Sequence, residues 1–219
     1  DAYVSLIIDD MIDAVLPHTK WIDVFCDEGA FDVDQSRAIL QAGKAKGLRP
    51  RIHAHQLGRN GGVQLAVDLD CASADHCTHL DDSDIDALAG SQTVATLVPG
   101  AEFSTRAQYP DARRLFDAGV SVAIATDCNP GSSFTTSMPF CISVAIRDMH
   151  FSPEQALWAS TMGGAKALRR DDIGHLAIGA VADLTILNAP SYLHLGYRPG
   201  VDIVSRVIKA GNITYERVA

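Results

Sequence analysis

The chain is poor in positive charge: 18 Lys and Arg stand against 27 Asp and Glu, for a net charge of −9. The basic residues are also scattered. Nothing resembles the clustered Lys and Arg that neutralise phosphates, which argues against nucleic acid and anionic membrane surfaces as partners. Long hydrophobic runs are lacking as well. The longest are of strand length, which speaks against a transmembrane helix, and the acidic opening residues have no signal-peptide pattern. Paired cysteines are missing: Cys26, Cys71, Cys77, Cys128 and Cys141 are odd in number and show no CxxC spacing. That usage fits unpaired thiols in a reducing cytoplasm rather than a disulfide framework or a structural zinc site. No GxGxxG or GxxxxGK[ST] follows the first strand-like run, which removes the usual evidence for a nucleotide-binding fold.

What is present has the texture of an ordinary globular protein, 47% hydrophobic and 21% charged. Val4, Ile7, Ile8, Met11, Ile12 and Val15 recur at helical spacing and predict an opening helix closed by Pro17. Short apolar runs then alternate with helical stretches. The runs are Trp21–Cys26, Arg51–His55, Cys71–His76, Thr93–Val98 and Ser121–Asp127. Between them, 34–46, 61–69, 83–88 and 112–118 read as helices. This is the spacing of parallel strands joined by crossover helices, hence an α/β fold. Further helices are expected over 138–148 and from Pro153 to about Leu168, the latter opened by a capping box of Ser152 and Gln155. Beyond Asp171 short β segments and a Gly211-Asn212 turn predict a separate β unit over 173–219.

The informative residues stand where the strands end. In parallel α/β proteins the site lies at the strands' C-terminal ends. The second run ends in His53-Ala54-His55-Gln56, the third in Asp75-His76, and the fifth in Asp127-Cys128-Asn129-Pro130-Gly131-Ser132-Ser133. Taken singly, each has a structural reading: a hydrogen-bonded histidine, or an aspartate fixing a turn. Together, imidazoles and a carboxylate at three strand ends suit a divalent ion that activates water. Cys128 reads as a small buried apolar side chain, not as a nucleophile. Glu28, after the first strand, reads by default as a carboxylate of the loop or one that supports the site from behind its ligands, its function open.

The strings Val-Phe-Cys26-Asp-Glu-Gly-Ala-Phe, Ile-His53-Ala-His-Gln56-Leu, Ser-Ala-Asp75-His76, Leu-Val-Pro-Gly100 and Ala-Thr-Asp127-Cys-Asn129-Pro-Gly131-Ser132-Ser133 carry a family resemblance. With them the sequence resembles the imidazolonepropionases of the amidohydrolase superfamily. The resemblance implies the C-terminal part of a (β/α)8 barrel, strands four to eight, over 1–172, with part of a small β-sandwich over 173–219. It implies His53 and Asp127 as ligands of one Zn or Fe ion. His76, Asp127 and Gln56 become catalytic residues, and Gln56, Asn129, Gly131 and Ser132 contact the substrate. The implied reaction is hydrolysis of 4-imidazolone-5-propanoate to N-formimidoyl-L-glutamate by a cytoplasmic enzyme, homodimeric at full length. Relatives usually carry Asp at the position of His55. The family's first-strand His-x-His pair is absent, so the chain, which opens at Asp1, reads as a fragment with little activity alone. Two alternatives stay open: another amidohydrolase, such as an aminoimidazole or nucleobase deaminase, and a non-catalytic truncated domain.

Overall fold

A computed structural model describes residues 2–217. The chain forms two compact units, Asp1–Leu97 with Arg114–Val122, and Val98–Arg113 with Ala123–Ala219.

The first unit is built on strands β1 (Trp21–Cys26), β2 (Arg49–Ala54), β3 (Ser73–His76) and β4 (Val94–Leu97), and β5 (Val122–Ile124) begins in it. The sheet order is β1-β2-β3-β4-β5, and β1/β2, β2/β3 and β3/β4 pair in parallel. Helices Val33–Ala45, Gly62–Asp68 and Asp82–Ala89 follow the first three strands in turn. Two of them are set by reciprocal caps that satisfy the orphan N–H groups of a first turn: Asp32 with Gln35, and Asp81 with Asp84. Helix Val33–Ala45 buries Ser36, Ile39, Leu40 and Gly43, an i, i+3, i+4, i+7 stripe. Val24, Cys26, Ile52, Ala54, Ala74, Val63 and Leu65 complete this core. Strand side chains alternate between faces. The polar residues Asp23, His53 and Asp75 fall on the face opposite Val24, Ile52, Ala54 and Ala74.

The opening segment is helical, with a π turn at Ile7–Met11 between Ala2–Leu6 and Ile12–Val15. The extra residue per turn shifts the phase of the apolar stripe, and Ile12 alone of these residues is buried. The run Ser121–Asp127 yields only a three-residue strand, because the chain leaves the ladder before Asp127, whose φ is 46°.

The second unit contains helices Pro99–Thr105, Met138–Asp148 and Pro153–Trp158, the last running on through a π segment, Ala159–Gly163, into Gly164–Ala167. Ser152 and Gln155 form the expected capping box. Helix Pro99–Thr105 does not follow from pattern, since Val98-Pro99-Gly100 resembles a turn. A separate antiparallel sheet joins β6 (Leu184–Leu187), β7 (Val204–Lys209) and β8 (Asn212–Glu216). Lys209 pairs with Asn212, so the tight turn is Ala210-Gly211, both at positive φ. It lies one residue before the expected position and has the two-residue form that suits twisted hairpins. Asp183 Oδ1 accepts from Ala210 N at 2.8 Å, pinning this turn. Among the described residues no helix is long and apolar enough to cross a membrane.

Candidate active site

In the first unit, β2 and β3 bring two predicted residues together. The register pairs Phe25 with His53 and His53 with Asp75, placing these three on one face. His76, one residue further, should point to the opposite face. Its φ of 76° turns it out of the extended region, and its ring comes to 5.1 Å from that of His53, centroid to centroid. Positive φ in a non-glycine residue is uncommon and concentrates at functional sites. His76 is buried. That burial, and secondarily His53, pushes its pKa down to about 3. At neutral pH it is an uncharged imidazole, a hydrogen-bond donor or lone-pair donor and not a cation.

His55 takes a different part. At φ 58° it too leaves the extended region, and it is fully buried. Its Nε2 accepts from Gly61 N at 3.2 Å, while Nδ1 faces Asp84 Oδ2 at 3.5 Å. Burial lowers its pKa and so favours the neutral ring, whose buried Nδ1 makes no hydrogen bond but lies against the Asp84 carboxylate. Asp84 also receives Arg59 Nε at 2.9 Å and Asp81 N at 3.1 Å. His55 therefore ties the loop after β2 to the first turn of helix Asp82–Ala89. Its role is structural.

Gln56 is half-buried on that same loop. Its backbone N–H donates to Asp27 Oδ2 at 2.8 Å, and that of Leu57 to the same oxygen at 2.9 Å. Asp27 is itself buried and accepts Glu28 N through Oδ1 at 2.9 Å. A carboxylate with several N–H partners is a strong anchor, because each charge-assisted bond is about twice a neutral one. Asp27, rather than Glu28, is thus the carboxylate that anchors this loop to the end of β1. Its partners at Gln56 and Leu57 lie 29 and 30 residues away, so little that is local in the sequence signals it.

The second unit holds the loop after β5. Asn129 organises it: Nδ2 donates to Asp127 O at 2.8 Å, Asp127 Oδ2 at 3.2 Å and Ser132 Oγ at 3.1 Å. Its Oδ1 accepts from Gly131 N and Ser132 N, both at 2.8 Å. Those two N–H groups are thus turned inward to Asn129, and the next helix starts only at Met138 behind its own cap, Ser137. Cys128 is exposed, contrary to expectation. Among the described residues all five cysteines are free.

Gly100 explains why this loop keeps its shape. A Cβ there would fall 2.5 Å from Ser133 Oγ and 3.1 Å from Thr135 Cγ2. Ser133 is fully buried, and its hydroxyl donates to Thr126 O at 2.6 Å. Gly100→Ala is expected to cost about 1–3 kcal/mol through overpacking. Chemical denaturation measures the loss, which should shrink in a Ser133→Ala background because the two sites touch.

On β1, Asp23 was not singled out by sequence. One carboxylate oxygen lies 3.1 Å from His53 Nδ1. Asp23, His53 and Asp75 each offer one ligand atom within 4.8 Å of the others. Burial, ahead of the nearby Asp23 charge, raises the pKa of Asp75.

The sequence pattern of the amidohydrolase family matches residues 32–214. The chain belongs to the amidohydrolase family. This amidohydrolase is 66% identical over 216 residues to a protein of Mycolicibacterium smegmatis named imidazolonepropionase, covering 99% of this chain and 54% of that relative. A Streptomyces coelicolor protein of the same name is 67% identical over 210 residues, covering 96% and 54%. The chain thus spans about half the length of the curated relatives it matches. Among solved structures, atrazine chlorohydrolase from Arthrobacter aurescens TC1 complexed with zinc aligns with a TM-score of 0.77 at 15% identity, covering 95% of this amidohydrolase and 56% of that chain. A Xanthomonas campestris adenosine deaminase with bound zinc gives a TM-score of 0.75 at 19% identity, covering 94% and 54%. These two likenesses concern the fold: a parallel α/β sheet as in part of a (β/α)8 barrel, with a separate small β unit.

Proposed function

We propose that this chain carries part of the active site of a metal-dependent hydrolase that opens 4-imidazolone-5-propanoate to N-formimidoyl-L-glutamate in histidine degradation. The observation that carries the reading is the 66% identity to an imidazolonepropionase across 99% of the chain. His53 and His76, side by side at the ends of neighbouring strands, support it. The domain reading is a barrel part over 1–172 and a sandwich part over 173–219.

The donor chemistry suits a zinc or iron ion. His53 has its Nδ1 against a carboxylate, which places the lone pair on Nε2. In this reading His53 and Asp127 hold the ion, which when bound supplies Lewis-acid activation of a water molecule. The chain's own residues do the rest. The Asp127 carboxylate accepts the proton that water loses as it attacks the ring carbonyl carbon. That proton passes to the ring nitrogen as the carbon–nitrogen bond breaks. Neutral His76 donates a hydrogen bond to the oxygen where negative charge develops. Gln56, held by Asp27, and the Asn129–Gly131–Ser132 loop receive the planar ring and its propionate arm. The substrate is a small molecule, and we place the enzyme in the cytoplasm as a homodimer at full length, with neither nucleic acid nor membrane as partner.

The test uses the full-length protein, including the half of the relatives' length beyond this chain. Incubated with 4-imidazolone-5-propanoate, it should yield N-formimidoyl-L-glutamate without releasing ammonia. Ammonia release would instead mark a deaminase of the same family. His53→Ala should lose both bound metal and turnover. Unchanged metal content and rate in that variant would refute the reading, and a wild-type protein that binds no metal would point to a non-catalytic role.

A further inference from the structure

We infer that Asp23 is a positioning residue for His53, its carboxylate accepting the Nδ1 proton and so aiming Nε2 into the site. The inference rests on the reading of His53 as a metal ligand.

Aspartate is disfavoured inside strands. In Trp21-Ile22-Asp23-Val24-Phe25-Cys26 it is the single charged residue, at the middle of β1. A residue that breaks a local rule without a structural gain is a candidate for function. The gain in stability here is small, because the Asp23 side chain is 40% exposed and exposed ion pairs contribute little. Its cross-strand neighbour is Arg51, whose guanidinium lies over the Trp21 ring, 4.4 Å from the centroid. What Asp23 does touch is His53 Nδ1, at 3.1 Å. On its other flank His53 meets Phe25 edge-on at 5.7 Å between centroids, a contact that restricts rotation of the imidazole. A ring steered on one side and hydrogen-bonded on the other has one orientation and one tautomer. An imidazole that ligates metal through one nitrogen characteristically donates through the other, and the acceptor raises its basicity.

The experiment measures zinc affinity of the full-length protein by chelator competition, for wild type, Asp23→Asn, Asp23→Leu and His53→Ala. Loss of such an acceptor typically weakens metal binding about 10–100-fold. Asp23→Asn, which keeps a weaker acceptor of the same shape, should lie at the low end and Asp23→Leu at the high end, both still binding one ion. The nitrogen NMR signature of His53 should show proton occupancy move from Nδ1 toward a tautomer mixture in Asp23→Leu, which a merely structural role would not produce. Wild-type affinity in both Asp23 variants would overturn the proposal, as would an unshifted His53 signature in a folded Asp23→Leu protein. If His53→Ala kept its zinc, the ligand reading would fail instead, so the two failures are separable.

Discussion

Asp127→Asn in the full-length protein should lower kcat by about 10³-fold or more while leaving the loop around it intact. The estimate combines loss of a proton acceptor, about 10²–10⁴ for general base action, with a weakened metal ligand. The amide is nearly isosteric, and its carbonyl oxygen can still accept the Asn129 Nδ2 bond that Asp127 Oδ2 accepts at 3.2 Å. The other Asn129 bonds, to Asp127 O, Ser132 Oγ, Gly131 N and Ser132 N, involve no atom that changes. A fall in kcat with an unchanged denaturation midpoint is therefore the expected pair of results. Turnover within a few-fold of wild type would remove Asp127 from the catalytic role. An equal loss in Asn129→Ala would locate the effect in loop order and not in the carboxylate, so that variant belongs in the same experiment.

What could be read from the sequence depended on how local its cause was. Strand β1 was legible to the residue, because a short run that is apolar but for Asp23, with Asp and Gly behind it, has few other readings. The strand-end histidines were legible as a pattern, since a parallel sheet puts successive C-termini on one rim. Which way they face was not. His53 and His76 meet, and His55 turns away into a buried network, because of backbone angles at His55 and His76 that non-glycine residues seldom adopt. The resemblance placed His55 where relatives usually have Asp, and only the distance to Asp84 shows what it does there. Asp23 and Asp27 escaped notice because their partners sit 30 and 29 residues along the chain, at His53 and Gln56. The helix Pro99–Thr105 was hidden by a Pro-Gly pair that normally marks a turn, although Pro at the start of a helix is equally at home.

The same long-range logic makes Asp84 a costly aspartate to remove. Asp84→Ala should destabilise the protein by about 3 kcal/mol, as leaving buried polar groups unsatisfied costs about 1–3 kcal/mol each. The side chain is 0% exposed. Its loss would strip His55 Nδ1 of the carboxylate it faces, Asp81 N of its capping partner and Arg59 of an acceptor at 2.9 Å. Arg59 is 47% exposed and can turn to water, so the first two terms dominate. The contrast is Asp82, two residues earlier, which also pairs with an arginine, Arg114, but whose side chain is 92% exposed. Asp82→Ala should change stability by less than about 1 kcal/mol. Denaturant titrations of both variants beside wild type check the difference. Equal costs at the two positions would mean that burial of the His55–Asp84 network contributes nothing, and with it would go the structural role assigned to His55.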